Sequence, residues 1–158
     1  MTVPITPTIC STVAQPCNPT PPCGDPSGAL LITTTPTILL GGLQIVDFAA
    51  AYDFGSTTAD ASTDEITIGS TDLYLVGLGI TLTSPVPANF IIEVLRNGSL
   101  LPPFTFSRMA DGVNPVVVEF AAFVPLVQDD VLQLRVTAFV EGFQIDSAAL
   151  SASTQCSS

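Results

Sequence analysis

From about Gly41 onward the chain alternates short apolar segments, rich in Val, Ile, Leu, Phe and Thr, with turn residues every eight to twelve positions. No helical period survives more than about two turns. The pattern predicts strands near 43–51, 65–69, 72–83, 89–96, 99–107, 115–125, 130–140 and 143–153, a set that suits an all-β antiparallel jelly-roll sandwich. The sharpest local signal is "EVLRNGSLLP". Asn97-Gly98 between two apolar runs is the dipeptide of a type I′ hairpin, whose two central residues both need positive φ. The segment 24–41, "GDPSGALLITTTPTILLG", reads equally as an extra strand or as a continuation of what precedes it.

Strand periodicity separates the faces. In "DLYLVGLGITL" both alternating sets are apolar or small: Leu73, Leu75, Gly77 and Gly79 on one side, Tyr74, Val76, Leu78, Ile80 and Leu82 on the other. A sandwich buries one face of each strand, so this strand supplies both core and subunit contact, and a closed homo-oligomer is expected. "VEFAAFVPLV" at 118–127 is two-sided in the same way, whereas "DVLQLRV" keeps Gln133 and Arg135 on one side and reads as solvent-facing. The alternative is a strand covered by its own loops.

Residues 1–28 follow a different rule. They hold seven of the fourteen prolines and one charge, Asp25. Proline fixes φ and removes a donor, so an extended connector arm with polyproline II character is expected over 1–28, and a jelly-roll domain over 29–158, with 29–41 assignable to either.

Charge narrows the partners. Three arginines face fourteen acidic residues, with no lysine or histidine, for a formal net charge of -11. Nucleic acid and anionic membrane surfaces are not expected partners. Only 11% of residues are charged while 47% are hydrophobic, which leaves apolar surface that further copies of the chain would cover. "MTVPITPTIC" lacks the basic and apolar regions of a secretory signal. Long uncharged stretches at 28–46 and 73–92 are broken by Pro36, Pro85 and Pro87 and read as strands, without membrane insertion.

Four segments carry a resemblance: "ITIGSTDLYLVGLGITL", the hairpin "FIIEVLRNGSLLP", the acidic turn of "VPLVQDDVLQLRVTA", and "IDSAALSAS". Over Asp64–Thr154 the chain resembles the trimeric jelly roll of the tumour necrosis factor and complement-head superfamily. Within it, the chain is similar to the head of the collagen-like exosporium glycoprotein and to spore appendage fibre subunits. The resemblance implies a homotrimer on the spore surface, made in the mother-cell cytoplasm, with an anchor protein below and a tip protein above. Two features depart from the pattern: no Gly-X-Y repeat precedes the domain, and Asp129-Asp130 stands where Gly-Asp is common.

The cysteines, Cys10, Cys17, Cys23 and Cys156, admit four readings. Zinc would need all four thiolates from both chain ends, with no histidine to help. A catalytic thiol would lack a base. Disulfides within the arm would close loops of only about six residues. The fourth reading is intermolecular: an arm of about 25 residues in polyproline II extends on the order of 70 Å, enough to reach a neighbour. An arm docking on a different surface from the one it leaves propagates into a filament. With cysteines shared between copies, the expected function is a structural subunit of a disulfide-cross-linked fibre. The alternative is a trimeric binding head whose loops near 53–64 or 108–114 recognise a carbohydrate or protein. No cofactor, metal or catalytic residue is expected. Asp129 and Asp130 with Asp111 or Glu65 are a conceivable calcium set, though acidic loop caps explain them, as the hairpin explains the Asn97-Gly98-Ser99 sequon.

Overall fold

The computed structural model describes residues 25–154. Their strands, in chain order, are β1 (Gly28–Thr33), β2 (Thr37–Ile38), β3 (Gly42–Ile45), β4 (Ala50–Phe54), β5 (Thr58–Asp60), β6 (Glu65–Thr67), β7 (Asp72–Thr83), β8 (Pro87–Arg96), β9 (Ser99–Asp111), β10 (Val116–Leu126), β11 (Val131–Ala138) and β12 (Gln144–Thr154). They form two antiparallel sheets. The first runs β10-β7-β12-β1-β4, with β2 also on β12; the second runs β5-β6-β11-β8-β9, with β3 also on β11.

The core fills the space between the sheets. Tyr74, Val76, Leu78, Ile80 and Leu82 are all buried there, with Phe90, Ile92 and Val94 of β8 and Leu132, Leu134 and Val136 of β11. Burying such side chains contributes about 1.5–3 kcal/mol each. Where edge strands β9 and β10 meet, Phe120 packs edge-on against Phe104 at 5.2 Å between ring centroids and lies 5.1 Å from Phe106. Phe90 and Phe143 make a second T-shaped pair.

Asn97 and Gly98 have φ of 52° and 77°, and the register Arg96↔Ser99 makes the predicted two-residue hairpin. One open reading is decided and one expectation is corrected. The segment 24–41 contains β1, a strand in the interior of the first sheet, paired with β12 on one side and β4 on the other. The expected strand at 43–51 is two strands in different sheets: β3 pairs β11, β4 pairs β1, and Val46–Ala49 crosses between them. Val46 N–H donates to Leu134 C=O in one sheet and Ala49 N–H to Ile32 C=O in the other, while Phe48 is buried at the crossing.

The two ends of the described chain are tied together. Thr154 N–H donates to Ser27 C=O at 2.8 Å, and Ser27 N–H donates to Thr154 Oγ1 at 2.9 Å. Ser27 Oγ accepts from Thr57 N–H, and Thr57 Oγ1 lies 3.1 Å from the hydroxyl of buried Tyr74. The buried polar groups at this end are therefore satisfied, as burial requires.

Candidate functional site

The outward face of the first sheet is the feature that core packing leaves unused. Strand register lays it out in rows: Phe123, Leu75, Ser153, Gly28 and Phe54; then Ala121, Gly77, Ser151, Leu30 and Tyr52; then Glu119, Gly79, Ala149, Ile32 and Ala50. These rows carry one charge, Glu119. Gly77, Gly79, Ala121, Ala149 and Ser151 are so small that the face sinks into a shallow groove of about 460 Å³ beside Glu119. Large apolar side chains flank it, with Phe123 57% exposed and Val117 59% exposed. At its end, the bulge between Ile145 and Ser147 sets Asp146 to accept from Thr83 and Gln144.

The second sheet's outward face is different in kind. Arg135 and Glu93 are cross-strand neighbours, with Arg135 Nη2 2.7 Å and Nε 2.8 Å from Glu93 Oε2. Beside them Gln133 donates to Glu65. The pair itself is largely buried, its side chains 20% and 11% exposed, so charge on this sheet is neutralised in place. Of the strand β7 residues, it is Leu73, Leu75, Gly77 and Gly79 that lie on the outward side, while the Tyr74–Leu82 set belongs to the subunit's own core.

The acidic turn is structural. Asp130, 2% exposed, accepts from Arg96 Nε at 2.9 Å, Asn97 Nδ2 at 2.7 Å and Val127 N–H at 2.9 Å. Asn97 Oδ1 accepts in turn from Val131 N–H. Burial opposes ionisation of Asp130, but these donors outweigh it and hold its carboxyl below the usual value. Asp111 caps its own loop, and the amides of Asn114 and Val113 with the Asn114 side chain lower it to about 2. Asp130, Asp111 and Glu65 therefore serve separate places, and no group of three or more acidic, Cys or His side chains gathers among the described residues. The Asn97 side chain, the sequon's acceptor, is engaged in the turn.

The loops weighed as a binding surface lie at opposite ends of the sandwich. Gly55 sits against Pro26 and Ser27 at the terminal end, whereas Gly112 sits against Val86 and Pro87 at the other. The sequence reading missed Tyr52 and Phe54, which stand outward on β4, although "AAYDF" carries the alternation that would have found them. Cys10, Cys17, Cys23 and Cys156 all lie outside the described residues.

No protein-family model and no curated protein sequence matches the chain. Solved structures do. Murine APRIL superposes with a TM-score of 0.62 over 82% of this chain and 99% of that one, at 17% identity. The tumour necrosis factor Eiger from S. frugiperda gives 0.59 over 84% and 93%, at 12% identity. The globular domain of zebrafish complement 1qA gives 0.53 over 79% and 94%, at 13% identity. The chain thus has the jelly-roll fold of tumour necrosis factor-like proteins and complement globular heads.

Proposed function

We propose that the chain is a structural subunit of a self-assembling extracellular fibre on the spore surface: a homotrimeric jelly roll whose trimers stack through N-terminal arms and are cross-linked through Cys10, Cys17, Cys23 and Cys156. The observation that carries this reading is the outward face of the first sheet, where three rows across five strands hold a single charge. Water is a poor neighbour for such a face, and a ring of identical subunits covers it without a second gene product. Ser27 is hydrogen-bonded to Thr154, so the described chain begins and ends at one pole, and Cys23 and Cys156 are each two positions beyond it in sequence. Each cross-link joins two thiols into a disulfide, passing two protons and two electrons to an oxidant such as dioxygen once the mother cell lyses. The spore assignment rests on the resemblance of residues 64–154 to exosporium and appendage subunits. An anchor protein and a tip protein would then occupy the two ends of the fibre.

Negative-stain electron microscopy and native mass spectrometry of the oxidised, purified protein test the reading. Long filaments that reductant and detergent return to trimers support it. Discrete trimers that never elongate would instead favour a binding head on a stalk, a reading consistent with the fold shared with APRIL and complement 1qA.

A further inference from the structure

Positive charge is scarce in this chain. Its side-chain cations are three arginines, with no lysine or histidine. Arg96 is paired with Asp130 and Arg135 with Glu93, and these are the ion pairs formed among the described residues. Arg108 on β9 is the remaining cation. It is exposed, its Nη1 donates to the Ser107 carbonyl at 2.9 Å, and its Cζ stands 5.9 Å from the centroid of the Phe106 ring. Arg108 lies opposite buried Phe90 in the β8–β9 register, so it belongs to the side of β9 that turns toward the first sheet. It therefore stands at the seam where β9 and β10 close the sandwich, beside Phe106, whose ring is 5.1 Å from that of Phe120.

Glu119 is the complementary case. It is the one charge in the three rows of the first sheet's outward face. Its Cγ lies 3.9 Å from where a Cβ on Gly79 would stand, so the side chain runs over bare backbone beside the shallow groove. Carboxylates that stay in water need no cation, but one that a partner covers does, because an unpaired charge taken out of water is strongly destabilising. A closed ring of three joins two different patches at every contact, so an edge of one subunit can meet a face of the next. We infer that the β9–β10 seam of one copy lies across the first-sheet face of the next, and that Arg108 there pairs with the partner's Glu119. The inference rests on the trimer of the function proposed above and names the ion pair that sets which surfaces meet. Charge complementarity selects the occupant. The face presents a lone carboxylate and the seam a lone cation, and a second copy supplies the one to the other. Within one chain the two point apart: Arg108 shares its side of β9 with Phe106, against the seam, whereas Glu119 precedes Phe120, which packs into that seam, and so faces the other way.

Charge reversal in the full chain, read by native mass spectrometry on dilution with reductant present, tests this. Arg108→Glu and Glu119→Arg should each weaken the trimer about tenfold or more, and the chain carrying both should return to within about threefold of the unaltered one. Both positions are exposed, so each variant should keep its strand content by circular dichroism. Mixed together, the two single variants should form trimers containing both, because two of the three contacts in a mixed ring then join opposite charges. Glu119→Gln, which keeps the shape, fixes the sign: it should weaken the trimer, since it leaves Arg108 without its partner. A trimer strengthened by Glu119→Gln would reveal a carboxylate covered without a cation and overturn the pairing, as would a double variant that stays weak. Recovery in the double variant without mixed trimers would place the pair inside one chain and overturn it equally. Single variants whose trimers hold undiminished would refute the pairing and leave the trimer reading standing, whereas an unaltered chain that is monomeric would remove both.

Discussion

At the scale of single residues, two carboxylates with opposite shifts show how this domain answers acid. Asp130 is held below its ordinary value, so the folded chain binds that proton more weakly than the unfolded one. Its contribution is fully present above the ordinary carboxylate range near about pH 4 and is lost as pH falls through the folded value. Asp130→Ala strands Arg96 and the amides of Val127 and the Asn97 side chain. It should cost about 3 kcal/mol at neutral pH in urea denaturation, with the difference shrinking on acidification. Asp64 behaves oppositely. Its burial pushes it up, against the Phe48 amide it accepts from, and Asp47, Glu65 and Asp60 add repulsion. The ionised form therefore costs stability at neutral pH, and protonation relieves the cost. Asn at this position keeps the acceptor for Phe48 and tolerates the φ of 59°. Asp64→Asn should raise the melting temperature at neutral pH, with the advantage gone in acid.

At the scale of elements, what the sequence made legible was whatever depended on local chemistry. Asn97-Gly98 announced its turn because only a few residues accept positive φ in succession, and β7 announced its two faces because period-2 alternation needs no tertiary information. Gly98→Val should cost about 1–2 kcal/mol, read by thermal melting, because φ of 77° is hostile to a β-branched side chain. The split of 43–51 into β3 and β4 was not legible. A largely apolar run such as "GLQIVDFAAA" looks the same whether it stays in one sheet or crosses to the other, and the crossing is set by partners at Leu134 and Ile32, distant in sequence. The strand β1 could be read only as one of two alternatives for the same reason, since its pairing with β12 spans nearly the whole domain. Legibility of the candidate site followed this division. The outward set Leu73, Leu75, Gly77 and Gly79 could be read from one strand, but the uncharged surface that Ala121, Ala149, Leu30 and Tyr52 complete exists only after four further strands come into register. Ala121→Arg places a cation in the middle of those rows at an exposed site. It should leave the fold's stability within about 0.5 kcal/mol and, on the proposed trimer reading, shift native mass spectra from trimer to monomer.

At the scale of the whole molecule, the sandwich holds its sides apart chemically: an ion-paired outer face on the second sheet, one with a single charge across its three central rows on the first, and both ends of the described chain at one pole. On the fibre reading, replacing Cys10, Cys17, Cys23 and Cys156 with serine should leave filaments that form but dissolve in boiling detergent, because the proposed covalent locks go while the apolar contacts stay. Assemblies that survive that treatment would show that the thiols are not what hardens them. The clasp between Ser27 and Thr154 carries one more consequence. Ends joined by backbone hydrogen bonds can be joined by peptide as well, so a circular permutant that links the two through a short Gly-Ser bridge and opens the exposed turn between β9 and β10 would keep every strand pairing of the sandwich. On the fibre reading proposed above, such a molecule has no arm to pass to a neighbour, and mixed with the full chain it is expected to shorten the filaments seen by electron microscopy.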